Sequence, residues 1–310
     1  MCGLFGFTNY SNNVIKDLEK LTKALSRESS IRGTDATGIA YNSKGHLEIM
    51  KDSKSAYKMD FKHPDDIVVL TGHTRHMTVG NPKINRNNHP FKGFCRGFNF
   101  ALCHNGVLSN DKPLRRELRL PKTKIETDSY IAVQLLESQP RLNFESIKYM
   151  AEKTEGSFSY TILDQKNNLY LVKGDSPLSI LHFPKQKIYV YASTDEILYK
   201  ALIDSPLFSA LKKGDFEPID ITEGDILKIA PDGTIKKHTF EYSCYYGRNW
   251  WDYGRYSYLS ISEDSYEQKD SYINDLKSVA AFQGFDESAI DELLSQGFTP
   301  QEIEDYIYEF

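Results

Sequence analysis

Short apolar segments typical of β-strands recur between residue 2 and about residue 240, and they limit the fold more than any other feature of the sequence. Three other segments in this region are predicted to be helices, at residues 14–27, 129–137 and 144–153. Many strands with few helices favour sheets that are covered by helices. An apolar run at residues 4–7 comes first, and strands are predicted at residues 38–41, 67–72, 98–104, 157–164, 169–173, 178–182, 188–193 and 225–230.

Length and composition set the size and class of the protein. The chain has 310 residues, of which 40% are hydrophobic, enough for one large domain with an appendage or for two medium domains. No apolar run approaches the roughly 20 residues that a membrane helix needs, and no secretory signal is visible. We therefore expect a cytoplasmic protein without membrane segments. The four cysteines form no CxxC pair, which fits free thiols in a reducing compartment.

The charge is distributed unevenly along the chain. Residues 261–310 contain 13 acidic and 2 basic side chains, a net of −11, whereas the other 260 residues hold 30 acidic and 36 basic side chains. The last fifty residues therefore form a candidate separate unit with its own surface. The overall net charge of −5 gives no reason to expect a nucleic-acid partner.

The C-terminal part divides into two segments. Residues 242–258 hold eight aromatic side chains in seventeen positions, and they either wrap the preceding domain or form a binding segment. Beyond them, three short helices are predicted at residues 272–282, 287–295 and 300–308, with Thr299 and Glu302 as a capping box. We place the boundaries at 2–240, 241–270 and 271–310. The acidic helical unit has two open interpretations, a docking module or a stabilising cap.

Cys2 is the first candidate for chemistry. A small second residue allows removal of Met1, which would leave a thiol and a free α-amine on one residue. An unperturbed α-amine has a pKa near ~8, so part of it is neutral and able to accept a proton near neutral pH. One N-terminal residue can thus provide both the nucleophile and its base. Gly3 next to it permits close approach of substrate and backbone.

Five ordered segments follow Cys2, and together they carry a family resemblance. They are residues 32–38 (RGTDATG), 72–75 (GHTR) with Thr78 and Gly80 just after, 88–90 (NHP), 104–106 (HNG) and 126–128 (ETD). In order and spacing the chain resembles the class II glutamine amidotransferases, which are N-terminal nucleophile hydrolases. It is most similar to the glutaminase domain of glucosamine-6-phosphate synthase, over about residues 2–235.

The resemblance implies a fold and a reaction. The fold would be α+β, the four-layer αββα sandwich of N-terminal nucleophile hydrolases built from two mainly antiparallel sheets, with a small C-terminal helical appendage. The reaction would be hydrolysis of L-glutamine to L-glutamate and ammonia through a thioester on Cys2. Asn105 and Gly106 map to the residues that stabilise the negative oxygen of the tetrahedral intermediate.

The resemblance also assigns residues to the substrate. Arg75 maps to the residue that binds the α-carboxylate of glutamine, and Asp128 to the one that receives its α-ammonium. Thr78 lies in the same substrate loop, and Arg32 helps to position the N-terminus. Taken singly, Arg75 could be an ordinary surface arginine and Asp128 a helix N-cap.

Several features are absent or altered. After Arg75 the synthase pattern Trp-Ala-Thr-His-Gly is replaced by HMTVG at residues 76–80, which affects how this loop closes and signals to a partner site. His73 and His104 are assigned no acid–base role, and His89 is expected to shape a loop. No zinc-ligand cluster or GxxxxGK[ST] phosphate loop is present, so we expect no metal or organic cofactor.

The fate of the ammonia separates the functional hypotheses. About 70 residues follow the region of resemblance, too few and too acidic for a sugar isomerase or another large acceptor domain. The sequence therefore predicts a separate acceptor enzyme, or simple release of ammonia. Two alternatives are an N-terminal nucleophile amidohydrolase acting on another amide, and a non-catalytic interaction protein on the same scaffold.

Overall fold

The structure is a computed structural model, and it describes residues 2–11, 17–242, 277, 287–295 and 303. The chain divides into two compact units, Met1–Tyr246 and Gly247–Phe310. The first unit contains two sheets with helices on their outer faces, and the second contains a described helix. Each unit is considered by itself below.

The first sheet has seven strands in the described part of the chain, and all of its pairings are antiparallel. The N-terminal strand β1 lies near its centre, between β4 and β10, so the start of the chain is held on both sides. The order is β11-β9-β10-β1-β4-β2-β3. The strands are β1 (Gly3–Asn9), β2 (Ala36–Ser43), β3 (His46–Asp52), β4 (Val69–Arg75), β9 (Ser179–Phe183), β10 (Ile188–Ala192) and β11 (Glu217–Pro218).

The second sheet has six described strands, also antiparallel, in the order β13-β12-β8-β7-β6-β5. Its longest strand, β6, pairs with β7 over nine residues from Phe100↔Asp164 to Leu108↔Gly156. The strands are β5 (Phe91–Cys95), β6 (Phe98–Leu108), β7 (Gly156–Asp164), β8 (Leu169–Lys173), β12 (Asp225–Ile229) and β13 (Ile235–Thr239).

Helices cover the outer face of each sheet. Helices α1 (Leu18–Glu28), α5 (Asp195–Ile203) and α6 (Phe208–Lys213) bury their apolar faces against the first sheet. Helices α2 (Asp111–Glu117), α3 (Tyr130–Glu137) and α4 (Phe144–Lys153) do so against the second sheet.

The alternation of side chains along β1 explains the layers. Phe5 and Phe7 point towards α1 and α5, whereas Leu4 points to the space between the sheets, because successive strand residues face opposite sides. Leu4, Ala101, Cys103, Leu171 and Tyr191 belong to the apolar layer between the sheets. The architecture is therefore the predicted α+β sandwich with the layer order αββα.

Most of the predicted strands and helices are observed. The differences are shifted ends of some elements and several short elements that were not predicted. Strand β6 continues four residues beyond its predicted end, to Leu108, and so includes Asn105 and Gly106. Strands β3, β5, β11 and β13 were not predicted, nor were α2, α5 and α6. The helix predicted at residues 14–27 begins at Leu18 among the described residues, and residues 12–16 lie outside them.

In the second unit, residues Glu287–Ser295 form a helix, here α7, over the range predicted from the sequence. Ile290 on this helix and Ile303 are buried, and Lys277 Nζ lies 2.7 Å from Asp291 Oδ2. The rest of the predicted helices at 272–282 and 300–308 lies outside the described residues. The same is true of the aromatic segment 242–258 except Tyr242, whose ring packs edge-on against Phe158.

Candidate active site

Cys2 lies immediately before β1, at one end of the space between the sheets. The pairing of Gly3 with Thr74 places the start of β1 beside the end of β4. Cys2 is 9% exposed, and its thiol donates to the carbonyl oxygen of His76 at 3.5 Å. Burial raises the pKa of Cys2, while the His76 contact and the positive charge of Arg75 act in the opposite direction.

Arg32 fixes the backbone of Cys2. It ends a 3-10 turn, Ser29–Arg32, that follows α1, and its Nε donates to the Cys2 carbonyl oxygen at 2.7 Å. Gly33 lets this turn approach the end of β4, because a β-carbon at Gly33 would collide with the backbone of Arg75 and His76. The structure thus brings Arg32 and Cys2 together, although thirty positions separate them in the sequence.

Arg75 ends β4 and is 2% exposed, so its interpretation as an ordinary surface arginine is wrong. Its guanidinium donates to Asn88 Oδ1 at 2.5 Å and to the carbonyl oxygens of Val79 and Gly80 at 2.6 and 2.8 Å. All three acceptors are uncharged. Within the described part of the chain, Arg75 forms no ion pair with a carboxylate in the structure.

Negatively charged groups nearby nevertheless favour the protonated, charged form of Arg75. Burial lowers the pKa of its guanidinium, and the Cys2 thiolate and the Asp35 and Asp128 carboxylates oppose this effect. A buried cation without a contacting counter-ion is costly unless an anion binds to it. Arg75 can therefore accept the carboxylate of a ligand.

Asn105 and Gly106 lie on β6, on the opposite sheet. Asn105 is 1% exposed, and its Nδ2 group has no hydrogen-bond partner among the described residues. Gly106 has φ +136°, and a β-carbon there would collide with the carbonyl oxygen of Ser157. Buried amide donors are almost always satisfied, so the orphaned Asn105 group points to an acceptor supplied by a ligand or by water.

Asp128 precedes α3 but does not cap it. The helix begins at Tyr130 with Ser129 as the N-cap, and Asp128 Oδ2 accepts from the Leu108 N–H at 2.7 Å. The alternative interpretation of Asp128 as a helix N-cap is therefore wrong. Asp128 is 3% exposed, and its contact with Leu108 holds it at the end of β6, two residues beyond Gly106.

A hydrogen bond across the sandwich brings the two halves of the site together. His73 Nε2 lies 2.9 Å from the carbonyl oxygen of His104. His73 is two residues before Arg75 on β4, and His104 directly precedes Asn105 on β6. The ends of β4 and β6 that carry Arg75 and Asn105 therefore lie side by side. Cys2 joins them through the pairing of β1 with β4.

Thr78 is the predicted site residue that stays apart from this group. It lies in the exposed loop that follows Arg75, and its side chain forms no hydrogen bond with the other predicted residues. The loop is anchored by the Met77 N–H, which donates to Asp35 Oδ2 at 2.7 Å. The role of Thr78 remains a prediction.

Three buried histidines, to which the sequence pattern gives no chemical role, lie behind the site. The rings of His73 and His89 lie 4.1 Å apart, and both nitrogen atoms of His89 lack a partner among the described residues. His104 Nδ1 lies 2.7 Å from Ser129 Oγ. Burial lowers the pKa of all three, that of His73 to about 3, so they are neutral in the folded protein near neutral pH. Their apolar sequence neighbours are the signal that could have indicated burial.

Two further properties concern the described residues as a whole. Nowhere in them do three or more His, Cys, Asp or Glu side chains cluster in a way that could hold a metal ion. No described helix has the length and apolar character to cross a bilayer.

Comparison with known proteins shows which proteins this chain is similar to. The sequence profile described as "Glutamine amidotransferase domain" matches residues 73–200. Curated relatives include the glutamine–fructose-6-phosphate aminotransferase (isomerizing) of Chlamydia muridarum, 27% identical over 96% of this chain and 48% of the relative. Those of Sulfurisphaera tokodaii and Staphylococcus aureus are 31% and 32% identical over 58% and 57% of this chain. They are covered over only 31% and 30% of their own length, so the chain spans less than half of these relatives.

Solved structures agree on the fold. The glutamine phosphoribosylpyrophosphate amidotransferase of B. subtilis, complexed with ADP and GMP, superposes with a TM-score of 0.61 at 18% identity. The match covers 77% of this chain and 49% of that enzyme. These matches support a class II glutamine amidotransferase domain in this chain, with the fold of the N-terminal nucleophile hydrolases.

Proposed function

We propose that this protein hydrolyses L-glutamine to L-glutamate and ammonia, with Cys2 as its N-terminal nucleophile. The observation that carries the proposal is the buried, unpartnered Nδ2 group of Asn105, on the strand that the His73–His104 contact holds beside the end of β4. A preset donor without a partner is suited to an oxygen that becomes negative during the reaction.

The substrate would be held by its amino-acid end. The Arg75 guanidinium binds the α-carboxylate, because it is buried and its contacts are all with neutral oxygens. Asp128 receives the α-ammonium, and its hydrogen bond from the Leu108 N–H holds it at the end of β6, the strand that carries Asn105. Arg32 holds the carbonyl of Cys2 and so orients the thiol and the amine. Thr78 contributes from the loop after Arg75.

The chemistry is acyl transfer in two steps. The terminal α-amine takes the thiol proton, and the Cys2 sulfur attacks the side-chain amide carbon of glutamine. Asn105 Nδ2 and the Gly106 N–H donate to the oxygen that becomes negative. The C–N bond then breaks, the leaving nitrogen takes the proton from the α-ammonium, and ammonia departs. Water attacks the thioester, which releases glutamate and restores the thiol.

We further propose that the ammonia passes to an acceptor enzyme. The support is that relatives named as fructose-6-phosphate aminotransferases match this chain over less than half of their own length. The relative from Chlamydia muridarum matches 96% of this chain, which includes the glutamine amidotransferase region at residues 73–200. Co-purification from the native host, followed by an assay of glutamine-dependent amination with the bound protein, tests this step.

An assay of the purified chain tests the central proposal. Incubation with L-glutamine should release glutamate and ammonia in a 1:1 ratio, and Cys2→Ala should release neither. Turnover of an amide that lacks the α-carboxylate at a comparable rate would favour an amidohydrolase with another substrate. If L-glutamine is neither bound nor hydrolysed, the proposal is wrong, and a non-catalytic interaction protein becomes the better explanation.

A further inference from the structure

Asn88 makes a direct contact with the proposed substrate-binding arginine. It is fully buried, with 0% exposure, and its Oδ1 accepts from Arg75 Nη1 at 2.5 Å. In the sequence, Asn88 is the first residue of the NHP motif at residues 88–90. Two main-chain carbonyl oxygens, of Val79 and Gly80, are the other acceptors of the guanidinium among the described residues.

The orientation of the Asn88 amide is fixed by groups on its other side. Nδ2 donates to the carbonyl oxygen of Pro82 at 2.8 Å, and it also lies 3.3 Å from Asn85 Oδ1 and 3.4 Å from Ser53 Oγ. A carbonyl oxygen only accepts and a guanidinium only donates, so the amide nitrogen must face Pro82 and the amide oxygen must face Arg75. Asn88 therefore connects Arg75 rigidly to the loop at residues 81–85.

The backbone of Asn88 is fixed as well. Its carbonyl oxygen accepts from Lys51 Nζ at 2.5 Å, and Lys51 also donates to the carbonyl oxygen of Pro90 at 3.0 Å. Lys51 lies on β3, the edge strand of the first sheet. The position of Asn88 is thus set by the sheet and by the loop together.

The neutrality of Asn88 is the important property. A carboxylate in the same place would form an ion pair with Arg75 and would compete with the carboxylate of an incoming ligand. An amide holds the guanidinium in one orientation and leaves its charge available. Holding a group in a productive geometry before the ligand arrives lowers the cost of binding.

We propose that Asn88 is a positioning residue that determines specificity for an α-carboxylate, because it orients Arg75 without neutralising it. This inference rests on the proposed glutaminase function and deepens it. Asn88 acts through Arg75 and does not itself touch the substrate. The substrate class that it selects is free α-amino acids, as opposed to amides that lack a carboxylate.

The decisive variant is Asn88→Asp, which keeps the size and adds a negative charge. We expect it to raise KM for L-glutamine about tenfold or more, with kcat changed by less than about threefold, because uniform binding is lost and the reacting groups are untouched. The preference for L-glutamine over an analogue without the α-carboxylate should fall by a similar factor. Asn88→Ala should raise KM less than Asn88→Asp does.

A matched control separates charge from packing. Asn110 is also a buried asparagine, whose Nδ2 donates to the Lys153 carbonyl at 2.9 Å and whose Oδ1 accepts from the Glu155 N–H at 3.0 Å. Asn110→Asp makes the same chemical change away from Arg75, so it should leave KM and the analogue preference unaltered. A purely structural role for Asn88 predicts that the Ala variant is at least as impaired as the Asp variant.

The outcomes distinguish this inference from the proposed function. Unchanged KM and unchanged analogue preference in Asn88→Asp, in a protein that hydrolyses L-glutamine, would overturn the role of Asn88 and leave the function intact. If Asn88→Asp does not fold, as judged by thermal unfolding, Asn88→Ala must still raise KM and reduce the preference, or the inference is wrong. Calorimetric titration of L-glutamine into Cys2→Ala is independent of turnover. If the Cys2→Ala variant binds no L-glutamine, the proposed function is wrong, and the inference about Asn88 is wrong as well.

Discussion

The guanidinium of Arg32 donates from Nε to the carbonyl oxygen of Cys2 at 2.7 Å. This hydrogen bond ties the first residue after Met1 to the turn that follows α1, thirty positions away. The thiol of Cys2 is at the same time directed towards the carbonyl oxygen of His76. A residue at a chain terminus is otherwise poorly held, so these contacts provide the order that a nucleophile needs.

Replacement of Arg32 should therefore reduce the rate of the chemical step. We expect Arg32→Ala to lower kcat about 10-fold to 100-fold, since a small misplacement of the reacting group has an effect of this order. Steady-state kinetics with L-glutamine measure the change. Arg27→Ala is the matched control, because Arg27 is an exposed arginine on α1 that stacks over Tyr57 and makes no described contact with Cys2. Equal losses in both variants would contradict a specific role for Arg32.

The proposed base requires a free amine on Cys2. Intact-mass measurement of the active protein should show that Met1 is removed. A tag that remains attached ahead of Cys2 should abolish hydrolysis, whereas the same tag at the C-terminus should preserve it. Active protein that retains Met1 would exclude the terminal amine as the base.

The thiols of the chain should differ in reactivity. An electrophilic glutamine analogue should label Cys2 and spare Cys95 and Cys103, both buried; burial raises the pKa of Cys103 to about 12. Because burial also raises the pKa of Cys2, simple alkylation of Cys2 should accelerate from about pH 7 to about pH 9 without a plateau. Peptide mapping by mass spectrometry measures both effects, and it also covers Cys244, which lies outside the described residues. Equal labelling of all four thiols would show that Cys2 has no special activation.

The orphaned donor of Asn105 should matter in the transition state. We expect Asn105→Ala to reduce kcat by roughly 10²–10³ with a smaller effect on KM, the usual loss for one such donor. Asn99→Ala, on the same strand and hydrogen-bonded to Gln165, is the control with an expected near-normal rate. A normal kcat in Asn105→Ala would mean that its Nδ2 group does not face the reacting oxygen.

The buried histidines predict the acid stability of the first unit. Burial lowers the pKa of His73, His89 and His104 in the folded state, so below about pH 6.5 the unfolded chain binds protons that the folded chain does not. The contribution of the three histidines to the free energy of unfolding is complete above about pH 6.5. It is lost as the pH falls towards their pKa values in the folded state. Each histidine adds about 1.4 kcal/mol per pH unit to the slope of the unfolding free energy.

Denaturant unfolding at several pH values measures this slope. His89→Phe, which keeps an aromatic ring beside His73 and Phe91, should make the slope between about pH 6 and about pH 5 shallower by about one proton. An unchanged slope in His89→Phe would show that His89 takes up a proton in the folded state.

Much of the fold and part of the site could be predicted from the sequence. Strands β6 and β8 each contain a run of four apolar residues, and β7 alternates polar and apolar residues from Ser157 to Ile162, so local pattern was sufficient to find them. Strands β3 and β13 were missed because they are edge strands with many exposed side chains, and their pattern is mostly polar. Helix α5 was missed although Thr194 caps it, with the Ile197 N–H donating to its hydroxyl.

The sequence by itself determined the chemical groups: a thiol at the second position, the order of the motif residues, and the layers that their strand patterns favour. Only the tertiary structure decided how these groups meet. Cys2, Arg75 and Asn105 lie far apart along the chain and are joined by the β1–β4 pairing and by the His73–His104 hydrogen bond. The neutral contact of Asn88 with Arg75 is equally a result of folding. The physical reason is that register, burial and the loss of hydrogen-bond partners depend on contacts between distant segments, which local sequence patterns do not specify.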